Sequence, residues 1–347
     1  MIAQFYDCEN FEPFARPRGA DFVLGDHIQL ITGDAATRDY LLNDFAQKPV
    51  CHAGILHGDY FLFYGGCLLA TRQGALIATS PPQMADQYFE VSQPAIEYAV
   101  AEAVREWDSI GVLQPSGVAV LGQPWAENYF HFTLELIPRQ RHFAGRPIVV
   151  SPVHMRHAFQ LDLLQRTIGG GGFFAPGGSL RVRDPVLAWD TMSPEGIHWL
   201  RANAGISPQP GSRRIYARRS ARGTRIGDGG GLAETPELLA LLREFGFETV
   251  DFGNGEHSAA AQAAMLDGAG IVLAPHGAGM TNLVYLSPPL TVIEVITRQI
   301  PHACFMQMSS VLGFRHVALH SDAFDDHNDI VIPPDDLRKT LQMCRNS

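Results

Sequence analysis

The run "GIVLAPHGAGMTNLVYL", residues 270–286, passes from an apolar stretch into a histidine and two glycines. Its unbroken apolar start reads as a strand buried on both faces, as in a parallel sheet. The chain then leaves through His276, Gly277, Ala278 and Gly279 and enters a helical run at Thr281-Asn282. A tight turn is the simplest use of such glycines. An anion site is the more specific one, because main-chain N–H groups at a helix start lack intrahelical partners and sit at the positive end of its dipole. Ligands of open α/β sheets bind at the carboxyl ends of the strands, which is where this loop falls. His276 adds a further donor there.

The same rhythm extends in both directions. "RRIYA" (213–217) reads as a strand, Thr235 and Pro236 open a helix "ELLALLREF" that Gly246 closes, and "FETVDF" (247–252) is the next strand. Ser258 caps a helix from 259, and "TVIEVI" (291–296) follows the glycine loop as a strand. "PPDDLRKTLQMCR" (333–345) reads as a closing helix. Further upstream, "GVAVLG" (117–122), "RPIVVS" (146–151) and "LRVRDPVLAW" (180–189) read as strands alternating with helices at "NYFHFTLELI" (128–137) and 155–168. Such alternation predicts a parallel sheet flanked by helices. Residues 1 to about 105 read as a β-rich flank with a helix over 95–107. The Pro/Gly-rich "ISPQPGS" (206–212) marks a boundary. The prediction is therefore an α/β protein of two Rossmann-like domains, 1–205 including the flank and 206–347.

Composition removes several classes of function. The chain has 347 residues with 46% hydrophobic and 18% charged residues, which describes a globular protein. A formal charge of −10 argues against a general nucleic-acid binder. No apolar run is long enough to span a bilayer, although association with a membrane surface is compatible with the sequence. The start, "MIAQFYDCENFEPFARPRG", lacks the apolar core of a secretion signal, so a cytoplasmic location is expected. The five cysteines are scattered and never spaced C-x-x-C, and they predict neither disulfides nor a zinc site. The acidic "SDAFDDHND" (321–329) reads as a solvated loop.

Three further stretches carry candidate chemistry. Only two lysines occur, whereas six arginines fall within "RRIYARRSARGTR" (213–225). Arg218, Arg219, Arg222 and Arg225 stand at or beyond a strand end of the same sheet as the glycine loop, and guanidinium groups grip phosphate oxygens bidentately. In "ENYFHFTLELIPR" (127–139), Asn128 caps a helix on which His131 and Glu135 share one face. Either is suited to taking a proton from a hydroxyl. Glu294, inside the apolar "TVIEVI", needs a hydrogen-bonding partner, and ribose hydroxyls would serve. One familiar chemistry is excluded, since there is no G-x-S-x-G for an α/β-hydrolase. A nicotinamide-dependent dehydrogenase stays open as a lesser alternative with the same alternating fold, although no G-x-G-x-x-G follows an early strand.

In their order along the chain, "NYFHFTLELIPR", "RRIYARRSARGTR", "EFGF", "HSAAAQAAMLDGAGIVLAPHGAGMTNLVYL" and "VIEV" resemble the family-61 glycosyltransferases, a group with many bacterial surface-polysaccharide members. The resemblance covers roughly residues 117–300. It implies a GT-B architecture, two Rossmann-like domains across a cleft, and an inverting enzyme that needs no metal and no cofactor beyond its nucleotide-sugar donor. By similarity, His276, Gly277, Ala278, Gly279 and Asn282 lie at the donor with Arg218, Arg219 and Arg225, while Glu294 reaches the ribose. His131 or Glu135 stands at the acceptor hydroxyl of a glycan or lipid-linked molecule. A catalytically inactive nucleotide-sugar-binding subunit is the alternative within the same family. The chain departs from the family pattern at Ala217, where serine is common, and at "GDGGG" (227–231).

Overall fold

The computed structural model describes residues 3–14, 21–31, 35–63, 68–79, 82–150, 152–168, 173–174, 180–219, 230–253, 255–299 and 302–345. The chain divides into two compact units, Met1–Ala20 with Pro49–Ala204 and Asp21–Lys48 with Gly205–Ser347. It is a mixed α/β protein with several sheets. Among the described residues no helix is long and apolar enough to cross a membrane.

The second unit is built on one six-stranded sheet. Its strands run in the order Phe247–Asp251, Arg213–Arg218, Ala269–Pro275, Thr291–Ile296, Arg315–His320 and Ile28–Ile31. Every neighbouring pair is parallel. Both faces are covered, which explains the near-continuous apolar sequence of the central strands. Leu273, Ile293, Val295, Val317 and Leu319 pack with Leu238, Leu241 and Leu242 of the helix Pro236–Glu244 and with Leu337 and Leu341 of Pro334–Arg345. The helix signals act as read: Thr235 Oγ1 accepts from Leu238 N at 3.1 Å, Ser258 Oγ accepts from Ala261 N at 3.1 Å, and Gly246 takes the left-handed turn at φ +72°.

Residues 21–48, which the sequence reading groups with the first domain, pack in the second unit. Strand Ile28–Ile31 extends the parallel sheet at its edge. Leu41 and Phe45 of the helix Ala35–Phe45 are buried against Ile296, Met306 and Ala318. Asp44 fixes the attachment, its Oδ2 accepting from Ala303 N at 2.7 Å. The sequence around residues 21–48 carries no periodicity that announces this excursion.

The first unit holds two sheets. In one, Phe173–Phe174, Ile148–Val150, Ala119–Leu121 and Val186–Asp190 are parallel neighbours, as expected. Cys51–Leu56 and Phe11–Pro13 then add to its edge antiparallel, so the sheet is mixed where a parallel one is predicted. Four other strands of the β-rich flank form the other sheet with Leu180–Arg183, in the order Ala3–Gln4, Leu76–Ala78, Leu68–Ala70, Asp59–Phe63 and Leu180–Arg183. "LRVRDPVLAW" is two strands rather than one. Asp184, at φ +49° before Pro185, breaks it, and each half joins a different sheet. The helix expected over 95–107 spans Pro82–Arg105.

Candidate active site

In the second unit the chain passes from strand Arg213–Arg218 outward to Phe247–Asp251, then returns to Ala269–Pro275 on the other side of its starting strand. That reversal opens a crevice at the carboxyl ends of Arg213–Arg218 and Ala269–Pro275, the place where open α/β sheets bind ligands. The first strand delivers Arg218 and Arg219 there, and the second delivers His276–Gly279.

The glycine loop leads into a short 3₁₀ helix, Ala278–Tyr285. Its first bond runs from Met280 N to the Gly277 carbonyl at 3.0 Å, so the N–H groups of Ala278 and Gly279 have no carbonyl within the helix to bond. His276 through Gly279 are half-buried, whereas Met280 onward is buried, so only the loop is presented. Arg219 lies directly over it. Its Nη1 donates to the His276 carbonyl at 3.4 Å, and a Cβ added to Gly277 would meet that same nitrogen at 3.3 Å. Gly277 is there because a guanidinium needs the room.

The remaining donor-side residues divide. Arg218 is engaged elsewhere, its Nε and Nη2 each donating at 2.6 Å to the two carboxylate oxygens of Glu234. Asn282 is fully buried, donating to Gln262 Oε1 at 3.0 Å and to the Gly279 carbonyl at 3.1 Å. It shapes the loop from behind and does not face a ligand. Arg222 and Arg225 lie outside the described residues.

Glu294 requires a correction. Instead of presenting a carboxylate for ribose, it is 0% exposed, and histidines hold both of its oxygens. His276 Nδ1 lies 2.5 Å from Oε1, and His316 Nε2 lies 2.9 Å from Oε2. Ser309 Oγ continues the chain at 2.8 Å from His316 Nδ1. Burial by itself raises the carboxyl, but the two histidine bonds prevail and lower it to about 2. An ionised Glu294 accepts from both rings, which puts the His276 proton on Nδ1 and leaves Nε2 to meet a ligand. Sequence reasoning missed His316. The signal was a second histidine in an apolar strand, at register Val292 and therefore on the same face as Glu294.

This buried carboxylate predicts an acid-dependent stability. Its folded value lies below the ordinary 4.5, so the stabilisation is complete above that pH and is lost as pH falls toward 2. The shift corresponds to at most about 3 kcal/mol. Urea unfolding of Glu294→Gln should give a lower midpoint near neutrality and a shallower decline from about pH 5 to about pH 3 than the parent protein. Parallel declines would remove Glu294 as the titrating group.

The second cluster belongs to the first unit. The predicted helix is instead a π-helical turn, His131–Leu136, followed by a 3₁₀ segment, Ile137–His142. Pro138 has no N–H to donate and crowds the preceding turn, so a regular α-helix cannot continue through it. Asn128 acts at the entry, its Oδ1 accepting from Phe130 N at 2.8 Å. His131 and Glu135 share a face as the spacing predicts, with Nδ1 2.7 Å from Oε2.

Glu135 is buried beneath His131, the two side chains being 11% and 27% exposed. Gln123 Nε2 donates to the same oxygen at 2.8 Å. Arg139 is fully buried below them. It donates to Gln123 Oε1, to the Glu135 carbonyl at 3.1 Å, and to the carbonyls of Gly122 and Ala188, both at 3.3 Å. Burial raises the Glu135 carboxyl, but the charge and hydrogen bond of His131, then Gln123 and Arg139, hold it below the usual range. Glu135 is thus a buried anion fixed from several sides, and His131 is the group it presents outward.

Residues 129–293 match the model of a family described as Glycosyltransferase 61. The matched span takes in His131, Glu135, Arg219 and the glycine loop, and it stops one residue short of Glu294. The match supports a glycosyltransferase enzyme. No curated protein matches the chain.

Proposed function

We propose that the protein is an inverting glycosyltransferase that moves a sugar from a nucleotide diphosphate, a UDP-sugar, to a hydroxyl of a glycan or lipid-linked acceptor in surface-polysaccharide synthesis. The observation that carries this reading is Arg219 lying over the His276–Gly279 loop at the switch point of a parallel sheet. A cation, main-chain donors at a helix start and an oriented imidazole on one crevice suit a pyrophosphate. In this reading the second unit holds the donor, the first holds the acceptor, and the two are the halves of a GT-B enzyme working in the cytoplasm.

The chemistry is a single displacement. The acceptor oxygen forms a bond to the anomeric carbon on the face opposite the leaving group and gives its proton to His131 Nε2. The bond from that carbon to the phosphate oxygen breaks, and its electron pair stays with the diphosphate. Glu135 on Nδ1 sets the ring's tautomer and stabilises the imidazolium that results, as a third group orients the base in other nucleophile–base pairs. Arg219, His276 and the loop N–H groups meet the charge growing on the diphosphate, so no metal is needed for that task.

Slow donor hydrolysis tests the reading without knowledge of the acceptor. Across a panel of nucleotide sugars, hydrolysis of one uridine-diphosphate sugar is expected to exceed the others and to disappear in His276→Ala. A full panel without binding or hydrolysis would count against the donor site.

A further inference from the structure

Three side chains from distant parts of the sequence converge in the first unit. Cys51 begins the strand Cys51–Leu56, Asp190 ends Val186–Asp190, and His142 closes the segment Ile137–His142. Strand pairing sets Cys51 directly opposite Asp190. Cys51 Sγ lies 3.7 Å from His142 Nε2, which in turn lies 3.0 Å from Asp190 Oδ2. One donor atom from each residue falls within 4.8 Å of the others. The cluster is enclosed, with the His142 and Asp190 side chains 8% and 2% exposed.

Connectivity excludes a nucleophilic triad. In such a triad the carboxylate and the thiol bond opposite nitrogens of the imidazole, so that one orients the ring for the other. Here both face Nε2. The Asp190 carboxylate instead takes hydrogen bonds from both the Cys51 thiol and the His142 ring. Convergence on a cation would use all three donors at once. Tetrahedral zinc, with bonds of about 2.3 Å to sulfur and about 2.0–2.1 Å to nitrogen or oxygen, places its donors roughly 3.3–3.6 Å apart. The observed 3.7 and 3.0 Å lie close to that spacing.

The surroundings suit the same reading. Arg141 Nη1 lies 2.6 Å from Asp190 Oδ2 and fixes the carboxylate as an outer-shell partner would. Asp190 Oδ1 is buried with no hydrogen bond of its own. As the sulfur–metal bond forms, the thiol proton passes to solvent.

We propose that Cys51, His142 and Asp190 bind one divalent cation of the zinc class, with water in the fourth position. Sulfur and imidazole donors favour zinc over magnesium or calcium. The ion ties two strands of the mixed sheet to the end of the segment that carries His131 and Glu135. It anchors the acceptor-side machinery and has no part in stabilising the diphosphate.

Metal-stripped full-length protein titrated with zinc against a chromophoric chelator should bind one equivalent and gain thermal stability. Cys51→Ser and Asp190→Asn, checked for folding by near-ultraviolet circular dichroism, should each weaken binding at least about tenfold, as loss of a ligand does more strongly than loss of an outer-shell partner. Cobalt in the parent protein should show tetrahedral d–d absorption and a sulfur-to-cobalt charge-transfer band, and Cys304→Ser should retain both. Absence of that band in the parent protein overturns the site even if the variants fail to fold. Zinc binding unchanged in folded Cys51→Ser overturns it equally.

Discussion

His131→Ala is expected to lower kcat by about 10²–10⁴-fold, the usual contribution of a positioned general base, with little change in donor KM. The expectation rests on placement. His131 is the more exposed member of its pair, and its Nδ1 is committed to Glu135 at 2.7 Å, so Nε2 is the nitrogen that meets an acceptor. Glu135→Gln keeps the volume and removes the charge, so its loss should also fall on kcat. A larger loss in Glu135→Gln than in His131→Ala would make Glu135 the base. Equal losses in kcat and donor affinity would move the pair to the donor site.

Arg219→Ala carries the second large effect, a fall in kcat of about 10²–10³-fold, comparable to removing one preorganised donor from an oxyanion site. Its guanidinium is held against the glycine loop, so little reorganisation is needed as charge develops on the leaving group. Arg218→Ala is the control. Glu234 already binds that side chain through both oxygens, so turnover should change only slightly while stability falls. Turnover retained in Arg219→Ala together with loss in Arg218→Ala would reverse the assignment. Both variants are read with saturating donor, so that an effect on KM alone is told apart from one on the chemical step.

Much of the second unit was legible because its signals are local. Apolar runs, Thr235-Pro236, Ser258 and Gly246 each act within a turn or two of their own position. The pairing of His131 with Glu135 was legible for the same reason, since α- and π-helical spacing both bring residues four apart to one side. Roles were less legible. Arg218 and Arg219 are adjacent and identical in type, yet one is paired with Glu234 and the other covers the glycine loop. The partner that separates them is 16 residues from Arg218, beyond a stretch that carries no periodicity.

By itself, the sequence determined the parallel α/β character of the carboxyl-terminal half, the loop at the end of strand Ala269–Pro275 and the cluster of arginines beside it. Those features depend on backbone preferences and on apolar periodicity, which are properties of contiguous residues. Only the tertiary structure decided that Glu294 holds His276 while His316 holds Glu294, and that residues 21–48 complete the sheet of the second unit. It alone brought Cys51, His142 and Asp190 together. Each of these depends on strands adjacent in space but distant in the chain, and strand order is set by how whole elements pack, which no local pattern encodes.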